Sequence, residues 1–256
     1  MNFGREYTSL ISELSLIFVL VFVCGFLLAL GMFHFKLRKL LASKLGTKIL
    51  MWLPLFAGLV IFLAMDRWLR LVFVIAILAT GLRDMKRRLG KRHAKLIVAF
   101  YILFIVAFFH LALISFVFSF RQSLVLVSAI CYGSVISDVC AFFGGKFFGK
   151  HTLPKYINNS KSWEGVGGQV IGAYIGLGLF STFTGFAVLS LALPIGLGSA
   201  LGDIGNSYVK RKAGIDEWSG SIAGHGGIAY RFSSLAVAAV ICFYLALIFK
   251  SAFLPF

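Results

Sequence analysis

From Val166 to Gly202 the chain carries no charged residue, and that stretch is long enough to cross a lipid bilayer twice. It divides into runs at about 166–183 and 186–202 around a turn near Thr184 and Gly185. Comparable apolar runs fall at about 15–35, 49–65, 68–82, 96–120, 124–143 and 234–249. Lipid offers no water to peptide groups, so a spanning segment must be a helix or part of a closed barrel. These runs are continuous rather than alternating, which excludes the barrel. The expectation is an all-α polytopic integral membrane protein with about eight transmembrane helices (seven to nine). The run at 68–82 is short and holds Arg70 near its start, and Pro194 is expected to kink the run at 186–202.

The net charge of +16 would suit a nucleic-acid partner, but its distribution points to topology instead. Twenty of the 25 lysines and arginines fall in alternate connecting segments. Lys36 to Lys48 hold the first group, Arg83 to Lys95 the second, Lys146 to Lys161 the third and Lys210 to Arg231 the fourth. That bias puts these segments on the inner side and both termini outside. It suits a bacterial inner membrane with the motif loops facing the cytoplasm, and adds attraction for anionic membrane lipids. Nucleic acid is not expected as a partner, and a homodimer is compatible with the class. The first run lacks a basic leader region and a small-residue cleavage site, so a retained helix is expected. Cys24, Cys131, Cys140 and Cys242 lie in apolar runs with no CxxC or Cys/His cluster, which argues against zinc and disulfides. His34 and His110 read as structural. The chain divides into residues 1–123, a four-helix region without a chemical motif, and 124–256, which carries the motifs. Together they are expected to form one continuous membrane domain.

Three polar clusters fall on the predicted inner face. Ser137-Asp138 lies within an apolar run and is followed by Gly144-Gly145-Lys146 and Gly149-Lys150-His151. An aspartate in a membrane span is a functional candidate by default, the plain alternative being an ion pair with a nearby lysine. Lys161-Ser162-Trp163-Glu164-Gly165 precedes the next run. The third cluster, from Asp203 to Ser233, gathers Asp203, Lys210, Arg211, Lys212, Asp216, Glu217, His225 and Arg231, with glycines at 224, 226 and 227. Carboxylates of this kind can hold Mg²⁺, which binds phosphate oxygens, and lysines and arginines can hold the remaining phosphate charge. A nucleotide or phospholipid phosphate therefore fits better than a neutral solute. No P-loop, HExxH, GxSxG or dinucleotide-binding fingerprint stands in its required context.

The run Ser137-Asp138 through Gly149-Lys150-His151 resembles a segment of the phosphatidate cytidylyltransferases (CDP-diacylglycerol synthases). Lys161-Ser162-Trp163-Glu164-Gly165 is similar to that family's next element. Ser207, Lys210 and Arg211, followed by His225-Gly226-Gly227 and Arg231, resemble its C-terminal signature. The resemblance covers about residues 130–235. It implies an all-helical bundle with a cytoplasm-facing, partly funnel-shaped site that joins CTP and phosphatidate, or a related lipid phosphate, into CDP-diacylglycerol and pyrophosphate. Mg²⁺ is implied as cofactor, with room for a second cation, and Asp203 as its ligand. Asp203, Lys210, Arg211, His225 and Arg231 are the implied catalytic group. Asp138, Lys146, Lys150, Lys161, Glu164, Ser207, Gly226 and Gly227 are the implied substrate contacts.

One departure matters. Where the family carries Asp-Arg-x-Asp, this chain has Tyr230-Arg231-Phe232-Ser233, and its Lys-Asp pair reads Asp216-Glu217 here. A phenol and a hydroxyl are poor substitutes for carboxylates on a hard cation. Two readings follow: an active enzyme in which Asp216 or Glu217 compensates, or a catalytically degenerate relative that binds anionic lipid, nucleotide or a membrane partner. A carrier or channel would leave the inner-face motifs unexplained.

Overall fold

The computed structural model describes residues 3–86, 93–219, 222 and 226–249. Arg87, Arg88, Lys91, Arg92 and His225, which the sequence singles out, lie outside the described residues, as does the side chain of Tyr230. The described chain is helical, without a β-strand. In order the helices are α1 (Phe3–Met32), α2 (Leu37–Leu41), α3 (Lys44–Leu50), α4 (Trp52–Ala64), α5 (Arg67–Lys86), α6 (Ala94–Val117), α7 (Phe120–Phe148), α8 (Trp163–Thr184), α9 (Ala192–Ala213) and α10 (Ile228–Ile248). Six segments are long and apolar enough to span a membrane: 8–32, 44–64 (α3 with α4), 94–117, 120–148, 163–184 and 231–248. The chain is an all-α polytopic membrane protein.

The sequence runs at 68–82 and 186–202 correspond to α5 and α9, which fall outside those six: α5 because of its charges, α9 because it is packed against protein and carries polar residues. Helix α5 carries Arg67, Arg70, Arg83, Asp84 and Lys86, of which Arg70 and Asp84 are buried against protein. Helix α9 lies against α8 and α10, so most of its surface meets protein rather than lipid. It buries glycines, serines and Asn206, and exposes a narrow stripe of Leu193, Leu197 and Leu201. A helix enclosed by other helices does not need apolar side chains all round. Pro194 does not kink α9. The helix begins at Ala192, so the proline sits in its first turn, where the missing N–H has no intrahelical partner anyway. The turn at Thr184-Gly185 is present, with Gly185 in the left-handed region at φ 71° as the C-cap of α8.

The tightest seam joins α7 to α8. Gly165, Gly168, Gly172 and Gly176 repeat at three- and four-residue spacing along α8, so they line one face. A Cβ on Gly172 would fall 2.7 Å from Cys140 Cβ and 2.8 Å from the Ile136 carbonyl oxygen; one on Gly168 would fall 2.8 Å from the Cys140 carbonyl. Backbones approach this closely only where side chains are absent. The contact locks Asp138 of α7 beside the start of α8. Helices α9 and α10 cross in the same way, where a Cβ on Gly198 would meet Ala238 Cα at 2.7 Å.

At the other end of α7, Arg70 ties the bundle together. Its Nε and Nη2 donate to the carbonyls of Phe62 (3.1 Å) and Leu63 (2.9 Å), and Nη1 donates to Ser115 Oγ (3.0 Å). Phe62 and Leu63 close α4, so neither carbonyl has the i+4 N–H of a continuing helix, although Phe62 also accepts from the Met65 N–H at 3.3 Å. Here the arginine substitutes for the next turn of helix. The rings of Phe62 and Phe120 lie 5.7 and 5.5 Å from its guanidinium carbon, which supplies cation–π contact. Buried side chains from both halves of the chain, Leu10 to Ala246, form one core.

Gly172→Leu should overpack the seam and cost about 1–3 kcal/mol, read as a lower melting temperature in detergent. Gly178→Leu, with open space at its Cβ, should leave the melting temperature unchanged. Arg70→Met should destabilise by about 1–3 kcal/mol for each carbonyl left without a donor.

Candidate functional site

The site is assembled from parts that are far apart in sequence. Asp138 projects from α7, Lys161 from the loop before α8, Asp203 from α9 and Arg231 from the first turns of α10, and all four line one cavity of about 360 Å³. Two ion pairs connect them. Lys161 Nζ is bonded to Asp203 Oδ2, and Arg231 Nη1 donates to Asp138 Oδ2 at 3.3 Å. The Asp138 and Asp203 side chains keep only about a quarter of their exposure, 29% and 25%, so the attraction acts at lower dielectric than at an open surface. Ser234, one turn on from Arg231, lines the cavity beside the Asp138 carboxylate.

Local structure explains each placement. The loop from Gly149 to Ser162 is pinned at its neck, where the Leu153 N–H donates to the Lys161 carbonyl (2.8 Å) and the Trp163 N–H to the His151 carbonyl (2.9 Å). His151 Nδ1 meets Glu164 Oε1 at 2.6 Å. Ser162 caps α8 by accepting from the Gly165 N–H at 3.2 Å, as an N-cap serine does. Lys161 therefore leaves a fixed turn immediately beside a helix start. Gly149 is required, because a Cβ there would lie 2.7 Å from Ser162 Oγ.

Arg231 is placed by the start of α10. Gly226 and Gly227 have φ 67° and 105°, values that favour glycine. A Cβ on Gly227 would collide with Ser219 Oγ at 2.7 Å and Asp84 Oδ2 at 2.9 Å. The fully buried Asp84 of α5 accepts from the Ile228 N–H at 3.4 Å. It supplies a carboxylate to the positive end of α10 from another helix. Trp218 fixes the preceding segment: it stacks on Phe100 with centroids 5.2 Å apart and donates from Nε1 to Asn206 Oδ1 at 2.7 Å.

The remaining sequence candidates divide. Lys146 lines the cavity from the last turn of α7. Lys150 is exposed and away from the cavity lining, and Glu164 is engaged with His151. Lys210 and Ser207 are buried on α9, and the Ser207 hydroxyl has no hydrogen-bond partner among the described residues. Arg211 is exposed and bonds Asp216 at 3.0 Å. Gly226 and Gly227 shape the start of α10 and do not line the cavity. Ser233 is buried at the α9–α10 crossing beside Gly202.

Three residues join the site that the motifs did not indicate. Lys48 and Trp52, around the α3–α4 junction, and Gln169 of α8 line the cavity. Gln169 is buried, with its Nε2 lacking a hydrogen-bond partner among the described residues. A glutamine inside a charge-free membrane run was the available signal. Asp84 was the one acid within the basic segment 83–95.

The donor set bears on a metal. Among the described residues no group of three or more His, Cys, Asp or Glu side chains could hold an ion. Asp138 and Asp203 are the two carboxylates of the cavity. Asp216 is almost fully exposed on Arg211, while Glu217 lies within electrostatic range of Lys48 and Lys210. That set does not cage a cation by itself. It does fit Mg²⁺ carried in with phosphates, since Mg²⁺ typically takes one or two carboxylates and completes its shell with water and substrate oxygens.

A sequence profile of the cytidylyltransferase family matches residues 7–249. A phosphatidate cytidylyltransferase of Haemophilus influenzae is 38% identical over 113 residues, 40% of this chain and 38% of that protein. One from Helicobacter pylori is 38% identical over 111 residues, 41% of each chain. One from Mycobacterium leprae is 35% identical over 111 residues, 42% of this chain and 36% of that protein. The matched part spans about two fifths of these relatives' length.

Asp84→Ala should remove the carboxylate from the start of α10 and cost about 1–2 kcal/mol, the range of a lost N-cap. Faster hydrogen exchange at the Ile228 amide, with the α7–α8 seam still protected, is the expected observation.

Proposed function

This chain belongs to the cytidylyltransferase family, and from that premise we propose that it joins CTP to phosphatidate, forming CDP-diacylglycerol and releasing pyrophosphate. The observation that carries the reading is the convergence of Asp138, Lys161, Asp203 and Arg231 on one cavity, as two ion pairs held by four separate elements. A site for neutral solutes has no use for cations at this density. Two phosphorylated substrates do. The bacterial relatives and the inner-side bias of the basic residues favour a bacterial inner membrane, with this cavity facing the cytoplasm.

In the reaction an oxygen of the lipid phosphate attacks the α-phosphorus of CTP. A new P–O bond forms, the bond between the α-phosphorus and the bridging oxygen breaks, and its electron pair leaves with pyrophosphate. Lys161, Lys146 and Lys48 supply cations along the cavity wall to hold the nucleotide phosphates, and Arg231 offers a planar fork to the lipid phosphate. Because Lys161 and Arg231 are already oriented by carboxylates, little reorganisation is needed when phosphate oxygens replace those partners. A bound Mg²⁺, held by Asp203 with Asp138 as the second carboxylate, would neutralise charge on the phosphate oxygens. The buried Gln169 amide offers a neutral donor to the same space.

The test is formation of CDP-diacylglycerol by purified protein in mixed micelles containing CTP, phosphatidate and Mg²⁺. Wild-type protein should make product, and Asp203→Ala should lower turnover by about 10²-fold or more. Lys161→Ala should raise the KM for CTP more than that for the lipid. Full activity in Asp203→Ala would remove Asp203 from the site, and no product from monodisperse wild-type protein would overturn the reading.

A further inference from the structure

One wall of the polar cavity stands apart from the main core. Leu45, Lys48 and Ile49 of α3 line it beside Phe22 and Phe26 of α1. Helices α2 and α3 lie chiefly against α1, α4 and each other, around a small core of their own centred on Ala29, Leu40 and Ile49. The two short helices form a stiff hairpin. Ser43 Oγ donates to the Leu40 carbonyl at 2.6 Å and accepts from the Gly46 N–H at 3.1 Å. A Cβ on Gly46 would run into that same carbonyl, so α3 starts against the backbone of α2. A displacement of α2 is therefore carried to α3, and with it to Lys48. The two cavity carboxylates are already engaged, Asp203 by Lys161 and Asp138 by Arg231, so the hairpin backbone sets where Lys48 stands.

The outer face of this hairpin has a definite chemistry. Lys36, Arg38, Lys39 and Lys44 are exposed, and no aspartate or glutamate occurs between Glu13 and Asp66. Among these cations stand Phe35, 75% exposed, and the exposed Leu37 and Leu41. The two leucines are four residues apart and share one face of α2. The turn that leads into α2 is strained: His34 and Phe35 have φ 51° and 60°, a left-handed region that bulky side chains rarely occupy. It is held by the Phe35 N–H, which donates back to the Leu30 carbonyl at 3.0 Å, and its result is to turn Phe35 outward. Strain of this kind points to a use for the geometry it maintains. Helix α2 also joins two segments long and apolar enough to span a membrane, 8–32 and 44–64, so it lies at a membrane surface.

Cations mixed with outward hydrocarbon at that level match the interface of an anionic bilayer. Phenylalanine and leucine enter the acyl boundary, while lysine and arginine stay among the headgroups and gain from the negative surface potential. A soluble acidic partner would meet the cations and leave the hydrocarbon in water. We propose that the α2–α3 hairpin seats on anionic lipid headgroups beside the cavity, and that this seating sets Lys48 in the site, so that turnover depends on the charge of the surrounding bilayer. The regulated reaction rests on the preceding functional reading, and the docking rests on the hairpin itself.

The test places the full chain in nanodiscs of phosphatidylcholine, with or without phosphatidylglycerol, at one low content of phosphatidate. Its variant combines Lys36→Gln, Arg38→Gln and Lys39→Gln, which keeps Lys44 and Lys48 and changes no residue of the cavity lining. Hydrogen exchange at the α2 and α3 amides should slow about tenfold with phosphatidylglycerol in wild type and stay unchanged in the variant. An anionic surface repels CTP from both proteins alike, so the readout of turnover is the ratio of wild-type to variant kcat/KM. Phosphatidylglycerol should raise that ratio about fivefold or more, the lower range of coupling between sites.

Exchange indifferent to bilayer charge would overturn the proposal, as would equal slowing in the variant. Equal slowing by polyglutamate added to phosphatidylcholine discs would assign the face to a soluble acidic partner and overturn lipid docking. Slowed exchange with an unchanged kcat/KM ratio would overturn the link to Lys48. If the variant does not fold, a salt series on wild type decides: protection should fade as salt screens the headgroups, and protection indifferent to salt would overturn charge recognition. Exchange needs no turnover, so the two readings can fail separately. Protection by phosphatidylglycerol without CDP-diacylglycerol formation removes the transferase reading and keeps the docking. Turnover with exchange indifferent to bilayer charge does the reverse.

Discussion

A carboxylate two thirds of the way along a membrane helix is tolerated only where a partner offsets the cost of leaving water, and for Asp138 that partner is Arg231, 93 residues away. The pair does more than neutralise charge. It joins α7 to α10 on the wall of the polar cavity, where both side chains line the space. Removing either partner would leave the other half-buried and uncompensated, which is why the rest of the site is arranged around keeping both in place.

Two kinds of packing hold them there. The glycine face of α8 lets α7 approach until backbone meets backbone, which fixes the direction of Asp138 and brings Lys161, two residues before α8, to Asp203. At the other helix, Asp84 and the left-handed turn at Gly226-Gly227 set where α10 begins, and hence where Arg231 stands one turn later. The glycines of the motif thus act at a distance from the chemistry: they position a helix end. Arg70 has the complementary role at the opposite end of α7, closing α4 with a side chain where the helix itself has ended.

Much of this was legible in the sequence. The apolar runs gave the helices, the Thr184-Gly185 turn fell where expected, and the three polar clusters contained Asp138, Lys146, Lys161, Asp203 and Arg231, all of which line one cavity. What stayed hidden has specific causes. Lys48 looked like one more basic residue among those that set topology, and nothing singled out Asp84 within a basic segment, because charge counting cannot distinguish a solvated side chain from a buried one. Pro194 was misplaced because hydropathy marks where a run is apolar, not where its helix begins. Helix α9 mostly contacts protein, so a criterion built on contact with lipid fails for it, whereas α5 fails it on its charges.

The sequence by itself determined that this chain must be helical and cross a membrane, since lipid leaves peptide groups no other partner, and it determined which residue types are available to meet phosphate. Only the tertiary structure decided which of those charges meet one another. Ion pairing and backbone approach depend on distances of a few ångströms between segments tens of residues apart, and no local pattern of side chains encodes them.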